Sequence, residues 1–167
     1  IVDAASGVSG AGRAAKNNNL FCTVDEDFTA YGLLDHRHTP EIEQVTCAQV
    51  LFTPHLAPMN RGILATCYAR PVDTKTTSTA SLLAVLNRAY AKEPFVVVSP
   101  ASPSTKATLG SNSAHLSARY DERTGYVIVL CAIDNLTKGA AGGAVQAANV
   151  ALGLDETFGL SKVGMFP

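Results

Sequence analysis

Residues Ala114–Ile133, reading AHLSARYDERTGYVIVLCAI, decide the fold. Ala114 to Tyr120 and Tyr126 to Ile133 are extended runs, the second rich in β-branched side chains. Between them lies Asp121-Glu122-Arg123-Thr124-Gly125, longer than a two-residue turn, with Gly125 placed for a left-handed backbone. This is an antiparallel hairpin. It runs into Asp134-Asn135 and then an Ala-rich helix from about Gly139 to Leu152, stopped by Gly153. The Gly142-Gly143 pair costs helix propensity, which predicts close packing there.

Upstream of the hairpin the same contrasts recur. Ile1–Ala4 enters as a strand, followed by the glycine turn Ala5–Arg13, whose backbone N–H groups are candidates for holding an anion or a cofactor edge. Its glycine spacing fits neither a Walker loop nor a GxGxxG fingerprint. Leu20–Val24 reads as a short extended piece, Gln49–Thr53 as a strand, and Pro54–Gly62 as a Pro-bounded loop carrying His55 and Arg61. Ile63–Ala69 is a strand apolar on both faces, hence central or covered. A helix over about Ala80–Lys92, with Leu82, Leu83, Leu86 and Tyr90 in one stripe, ends at Pro94, and Phe95–Val98 is a strand. Ser99–Thr108 reads as an irregular surface loop and Gly159–Pro167 as a tail. Roughly six or seven strands alternate with two or three helices, which defines an α+β domain with a mixed, mostly antiparallel sheet and helices on one face.

Composition narrows the function classes. The 167 residues fit one domain, and 13 Lys and Arg stand against 14 Asp and Glu without a basic run, so neither nucleic acid nor an anionic membrane is expected as a partner. Apolar runs fall far short of a membrane span. Cys22, Cys47, Cys67 and Cys131 are scattered, with Cys67 and Cys131 in apolar strand runs, which favours a reducing compartment over a disulfide framework. The chain opens on Ile1 and reads as part of a longer polypeptide.

The most distinctive chemistry lies in Asp35-His36-Arg37-His38-Thr39-Pro40-Glu41-Ile42. Thr39 as cap, Pro40 at the first position and Glu41 with Glu43 in the first turn predict a helix from about Pro40 to Val45. The positive helix end should lower an imidazole pKa just upstream, which keeps the ring neutral and suits a general base.

These runs together carry a resemblance. The segments at 2–13 (VDAASGVSGAGR), 30–45 (AYGLLDHRHTPEIEQV), 52–68 (FTPHLAPMNRGILATCY), 109–112 (LGSN) and 132–160 (AIDNLTKGAAGGAVQAANVALGLDETFGL) resemble N-acetyl-gamma-glutamyl-phosphate reductases, in order and over nearly the whole chain. The resemblance is to their C-terminal substrate and dimerisation domain, whose fold is that of the glyceraldehyde-3-phosphate dehydrogenase C-terminal domain. It implies NADPH-dependent reduction of an acyl phosphate to a semialdehyde in arginine biosynthesis, through a cysteine thioester. His36 matches the acid/base histidine of the family. Arg37, His38 and Arg61 become candidates for substrate contacts, Ser6, Gly7, Ser9 and Gly10 for the turn near the cofactor, and Asn135 for the nicotinamide carboxamide. The resemblance also implies a homodimer or homotetramer, a cytoplasmic (or, in a plant, plastid) location, and a partner N-terminal dinucleotide-binding domain that binds most of the NADP.

Residues 1–167 contain neither that domain nor its cysteine motif, and no cysteine here matches it, so this chain alone is expected to be inactive. The runner-up is the related reductase of lysine biosynthesis, whose acidic carrier protein would want a basic docking surface. A non-catalytic dimerisation module is a third reading. A metal site on His36, His38 and His55 is a fourth, disfavoured because the first two precede a helix and lack a fixed second pair of ligands.

Overall fold

The computed structural model describes residues 1–166. One seven-stranded sheet runs in the order β2-β3-β1-β4-β7-β6-β5. Its strands are β1 (Val2–Gly7), β2 (Thr29–Ala30), β3 (Phe52–Ala57), β4 (Ile63–Ala69), β5 (Val96–Val98), β6 (Ala114–Asp121) and β7 (Tyr126–Ile133). The pairs β1–β3 and β5–β6 are parallel and the others antiparallel, the mixed sheet expected. The hairpin is in register, with Asp121 opposite Tyr126, and Gly125 takes φ +71° to close it.

Five α-helices, α1 (Phe21–Val24), α2 (Thr39–Thr46), α3 (Thr79–Ala89), α4 (Thr105–Thr108) and α5 (Gly142–Ala151), accompany the sheet, with short 3-10 turns at Val8–Ala11 and Asn17–Asn19. Ser78 caps α3, accepting from the Ser81 N–H while the Ser81 hydroxyl takes its own N–H. Helix α3 lies against β5 and β6, and α4 against β7. Phe95, Ala118 and Ala132 are the most deeply buried apolar side chains, Ala118 and Ala132 on opposite faces of the hairpin. Strand β4 is the middle strand of the seven, as its two apolar faces predict, and its residues Ile63–Tyr68 keep some exposure.

Several local expectations are corrected. Leu20–Val24 is not extended: Phe21–Val24 forms one helical turn, because Leu20 holds the extended cap position and accepts from Thr23 and Val24. The supposed loop after Thr53 is strand, with Pro54 and His55 inside β3. The carbonyl of Pro54 takes the N–H of Tyr31 beside the short edge strand β2, so its missing donor faces that edge and leaves the β1 ladder intact. Thr39 is the first helical residue rather than the cap; His38 holds that place without a side-chain capping bond. Helix α3 ends at Ala89, three residues early, because Tyr90 leaves helical geometry. The Ser99–Thr108 loop ends in α4, with Thr108 fully enclosed.

After Asn135 the chain first makes wider-than-α turns over Thr137–Ala141, with Gly139 N–H to Asp134 O at 3.0 Å and Ala141 N–H to Leu136 O at 3.0 Å. Only then does α5 begin. The tail is docked: Asn112 N–H donates to Ser161 O (2.8 Å), Ser113 Oγ to Lys162 O (2.6 Å), and Met165 N–H to Leu109 O (2.9 Å). Pro167 lies outside the described residues. No helix among those residues is long and apolar enough to cross a membrane.

Candidate functional site

Two clusters hold the sequence-predicted residues, at opposite ends of β3. The first joins the glycine turn, the loop at 58–62 and the exit of β7. Gly7 N–H donates to Gly62 O (2.8 Å), Val8 N–H to Met59 O (2.9 Å) and Ser9 N–H to Asn60 O (3.1 Å). The anion-holding role foreseen for the turn's amides is therefore closed to these three, since the neighbouring loop uses them. Glycine is required at position 7 by close approach, because a Cβ there would fall 2.8 Å from the Arg61 backbone.

Asn135 is the centre of this cluster and is almost fully buried. Its Oδ1 accepts from Gly62 N–H at 2.6 Å, and its Nδ2 donates to Ser9 Oγ at 2.9 Å. Gly10 lies above it: a Cβ there would come within 3.1 Å of Ser6 Oγ and 3.7 Å of Asn135 Nδ2. The missing side chain keeps room beside two hydrogen-bonding groups, and one Nδ2 hydrogen of Asn135 has no acceptor among the described residues. A nicotinamide carboxamide edge, with one acceptor oxygen and one donor nitrogen, fits that chemistry. Beside the turn, Val8, Ser9, Gly12, Arg13, Asn19 and Leu20 line a cavity of about 260 Å³.

Arg61 is not free at this end. Its Nη2 lies 3.0 Å from Asp134 Oδ2 and 3.0 Å from Thr137 Oγ1. Burial alone would raise the Asp134 pKa, but N–H donors from Gly110, Thr137 and Leu136, with Arg61, hold it below the usual carboxylate range. Asp134 was not singled out from the sequence. The signal was there, since an Asp closing a strand and followed by Asn-Leu-Thr is a capping pattern, and its Oδ1 accepts from Leu136 N–H (2.8 Å) and Thr137 N–H (3.0 Å).

The second cluster surrounds His36. The ring meets Phe52 at 5.0 Å, Tyr31 at 5.6 Å and His38 at 5.0 Å, all edge-on. Its Nδ1 accepts the main-chain N–H of His38 at 3.2 Å. The pKa of His36 is lowered, in the direction expected but for other reasons: partial burial first, then the nearby charges of His38 and Arg37, opposed by Asp35. Arg37 and His38 are exposed. His36 packs at the first residue of β3 and the 58–62 loop follows the last, so the clusters stand about 16 Å apart along the strand at ~3.3 Å per residue. The glycine turn, Arg61 and Asn135 come together; His36, Arg37 and His38 do not join them.

His55 stacks on Phe28 (5.1 Å between ring centroids) and lies 4.0 Å from Asp3. Among the described residues no group of three or more His, Cys, Asp or Glu side chains could hold a metal ion.

One mixed sheet thus brings the glycine turn at the exit of β1 against the asparagine at the exit of β7. Residues 1–135 match the model of the semialdehyde dehydrogenase dimerisation domain, and the chain belongs to that family. Solved structures agree in fold. Aspartate semialdehyde dehydrogenase II from Vibrio cholerae aligns with TM-score 0.67 at 15% identity over 90% of this chain and 54% of that one. A probable aspartate-semialdehyde dehydrogenase from Pseudomonas aeruginosa gives 0.67 at 18% identity, with the same coverage. The fold is thus the glyceraldehyde-3-phosphate dehydrogenase-like C-terminal domain. Among curated relatives, N-acetyl-gamma-glutamyl-phosphate reductases from Citrifermentans bemidjiense and Geobacter metallireducens are each 51% identical over 100% of this chain. The Moorella thermoacetica reductase is 49% identical over the same extent. The chain spans 50% of the length of each.

Proposed function

We propose that this chain is the substrate and dimerisation half of an N-acetyl-gamma-glutamyl-phosphate reductase, which forms N-acetylglutamate semialdehyde and phosphate from the acyl phosphate in arginine biosynthesis. The observation that carries the reading is identity of about half of all positions, along the whole chain, to reductases of that name. The geometry supports it with a carboxamide beside a glycine-made space and a separate neutral imidazole flanked by cations.

Roles follow from position. Asn135, with Ser6, Ser9 and Gly10, would hold the nicotinamide carboxamide, and Gly7 keeps the turn closed on the 58–62 loop. NADPH, when bound, supplies the hydride; the rest of its binding falls to a dinucleotide-binding half outside residues 1–167, as does the nucleophilic cysteine. His36 handles the proton at the reacting carbon and sulfur. Arg37 and His38 are exposed and face solvent where they can meet an anionic substrate. Substrate and partner half must then lie along β3, between its two ends. The enzyme works as a homo-oligomer in the cytoplasm.

The test is the reverse reaction of the full-length polypeptide bearing this chain, given N-acetylglutamate semialdehyde, NADP and phosphate. NADPH formation that requires phosphate is expected. Turnover without phosphate, or only with a carrier-bound aminoadipate semialdehyde, would overturn the assignment.

A further inference from the structure

Arg61 and Asp134 lie next to the two residues that hold the candidate cofactor contact. Asp134 is fully enclosed. Its Oδ1 takes the Arg61 Nη2–H (3.1 Å) and the N–H groups of Leu136 and Thr137, and its Oδ2 takes the Gly110 N–H at 2.7 Å. One residue further along each segment, Gly62 N–H donates to Asn135 Oδ1. Adjacent residues of the 58–62 loop and the β7 exit therefore form two consecutive rungs, Arg61–Asp134 and Gly62–Asn135. From the second rung the bonding continues to the glycine turn, through Gly62 O to Gly7 N–H and through Asn135 Nδ2 to Ser9 Oγ.

An arginine that receives a substrate carboxylate needs a free edge of its fork. Here the edge with Nε and Nη2 faces Asp134, and Nη2 also serves Thr137. Nor is there slack in the loop: Gly62 sits at φ +109°, and a Cβ on it would meet the Thr105 side chain at 2.7 Å. We infer that Arg61 and Asp134 are positioning residues for the cofactor end of the site: their ion pair sets the 58–62 loop against the β7 exit and so fixes the orientation of the Asn135 carboxamide. This rests on the reading of Asn135 as the nicotinamide contact, and it moves Arg61 from substrate binding to positioning.

The experiment uses the full-length polypeptide with Arg61→Met and Arg61→Lys, read two ways. Hydrogen exchange of the peptide over residues 58–64 should speed up about tenfold in Arg61→Met, the weight of one lost hydrogen bond to a charged group, while peptides of the β6–β7 hairpin stay unchanged. In kinetics the KM for NADPH should rise about tenfold and that for the acyl phosphate stay within about twofold, with Arg61→Lys recovering part of both effects. A rise in acyl-phosphate KM alone would restore Arg61 to substrate binding and overturn the inference. So would parallel loss of protection in the hairpin, which marks a general scaffold role. If the parent itself shows no turnover, the functional reading falls while hydrogen exchange still decides whether the pair fixes the loop.

Discussion

The His38 main-chain N–H points at Nδ1 of His36, and only a ring nitrogen bearing a lone pair can accept it. The neutral ring therefore carries its proton on Nε2 and offers a donor to whatever lies beyond. Adding a second proton breaks the His38 bond, which acts with burial and the flanking cations to favour the neutral form. We predict that nitrogen NMR of His36 shows the Nε2–H tautomer at neutral pH; an Nδ1–H signal would contradict it. Because the folded pKa lies below the ordinary value of about 6.5, activity that needs the neutral ring persists as pH falls through that value and drops only below it. Asp134 carries a second prediction at this scale. Its lowered pKa contributes stability that is complete above the unfolded value of about 4 and is lost as pH falls through the folded one. Acid unfolding followed by circular dichroism should be less pH-dependent in Asp134→Asn, and an identical slope would contradict this.

Among the elements, how well the sequence could be read tracked length and period. The β6–β7 hairpin was legible because both strands run eight residues and the turn has a glycine where φ is positive. Helix α2 was legible from Pro40 and Glu41. Helices α1 and α4, of four residues each, are too short to show a period, and β3 was hidden by Pro54, whose edge-facing carbonyl only the register discloses. The close packing expected at Gly142 is present: a Cβ there would meet Asn112 Oδ1 at 2.4 Å and Thr137 O at 2.7 Å. Gly142→Ala should cost about 2 kcal/mol or more by overpacking, measured by urea denaturation; an unchanged midpoint would contradict the fit. Of the site, residue types were legible but their grouping was not. Asn135 and the glycine turn are far apart in sequence and meet only because β1, β4 and β7 are neighbours, while His36 lies at the far end of β3 because β2 starts opposite His55 and Leu56.

At the scale of the molecule, the buried apolar side chains are few, mostly alanines with Phe95, Val24 and Val127. Strand β4 stays partly exposed along nearly its whole length, while Leu33, Leu34, Val45 and Leu51 are exposed. A domain of this size with so small a core needs further apolar surface covered. A second copy is the partner that the dimerisation-domain family favours. Sedimentation equilibrium of the chain at micromolar concentration should give a dimer or larger, and a stable monomer would contradict this. The central claim concerns the whole reductase, and one measurement tests it most directly: the initial rate of phosphate-dependent NADPH formation from N-acetylglutamate semialdehyde by the full-length polypeptide, with and without His36→Asn. Turnover in the parent, reduced about a hundredfold or more in the variant, is the predicted result for loss of a general acid or base. A parent that turns over at a rate the variant matches would remove His36 from the chemistry, and a parent without turnover would contradict the account as a whole.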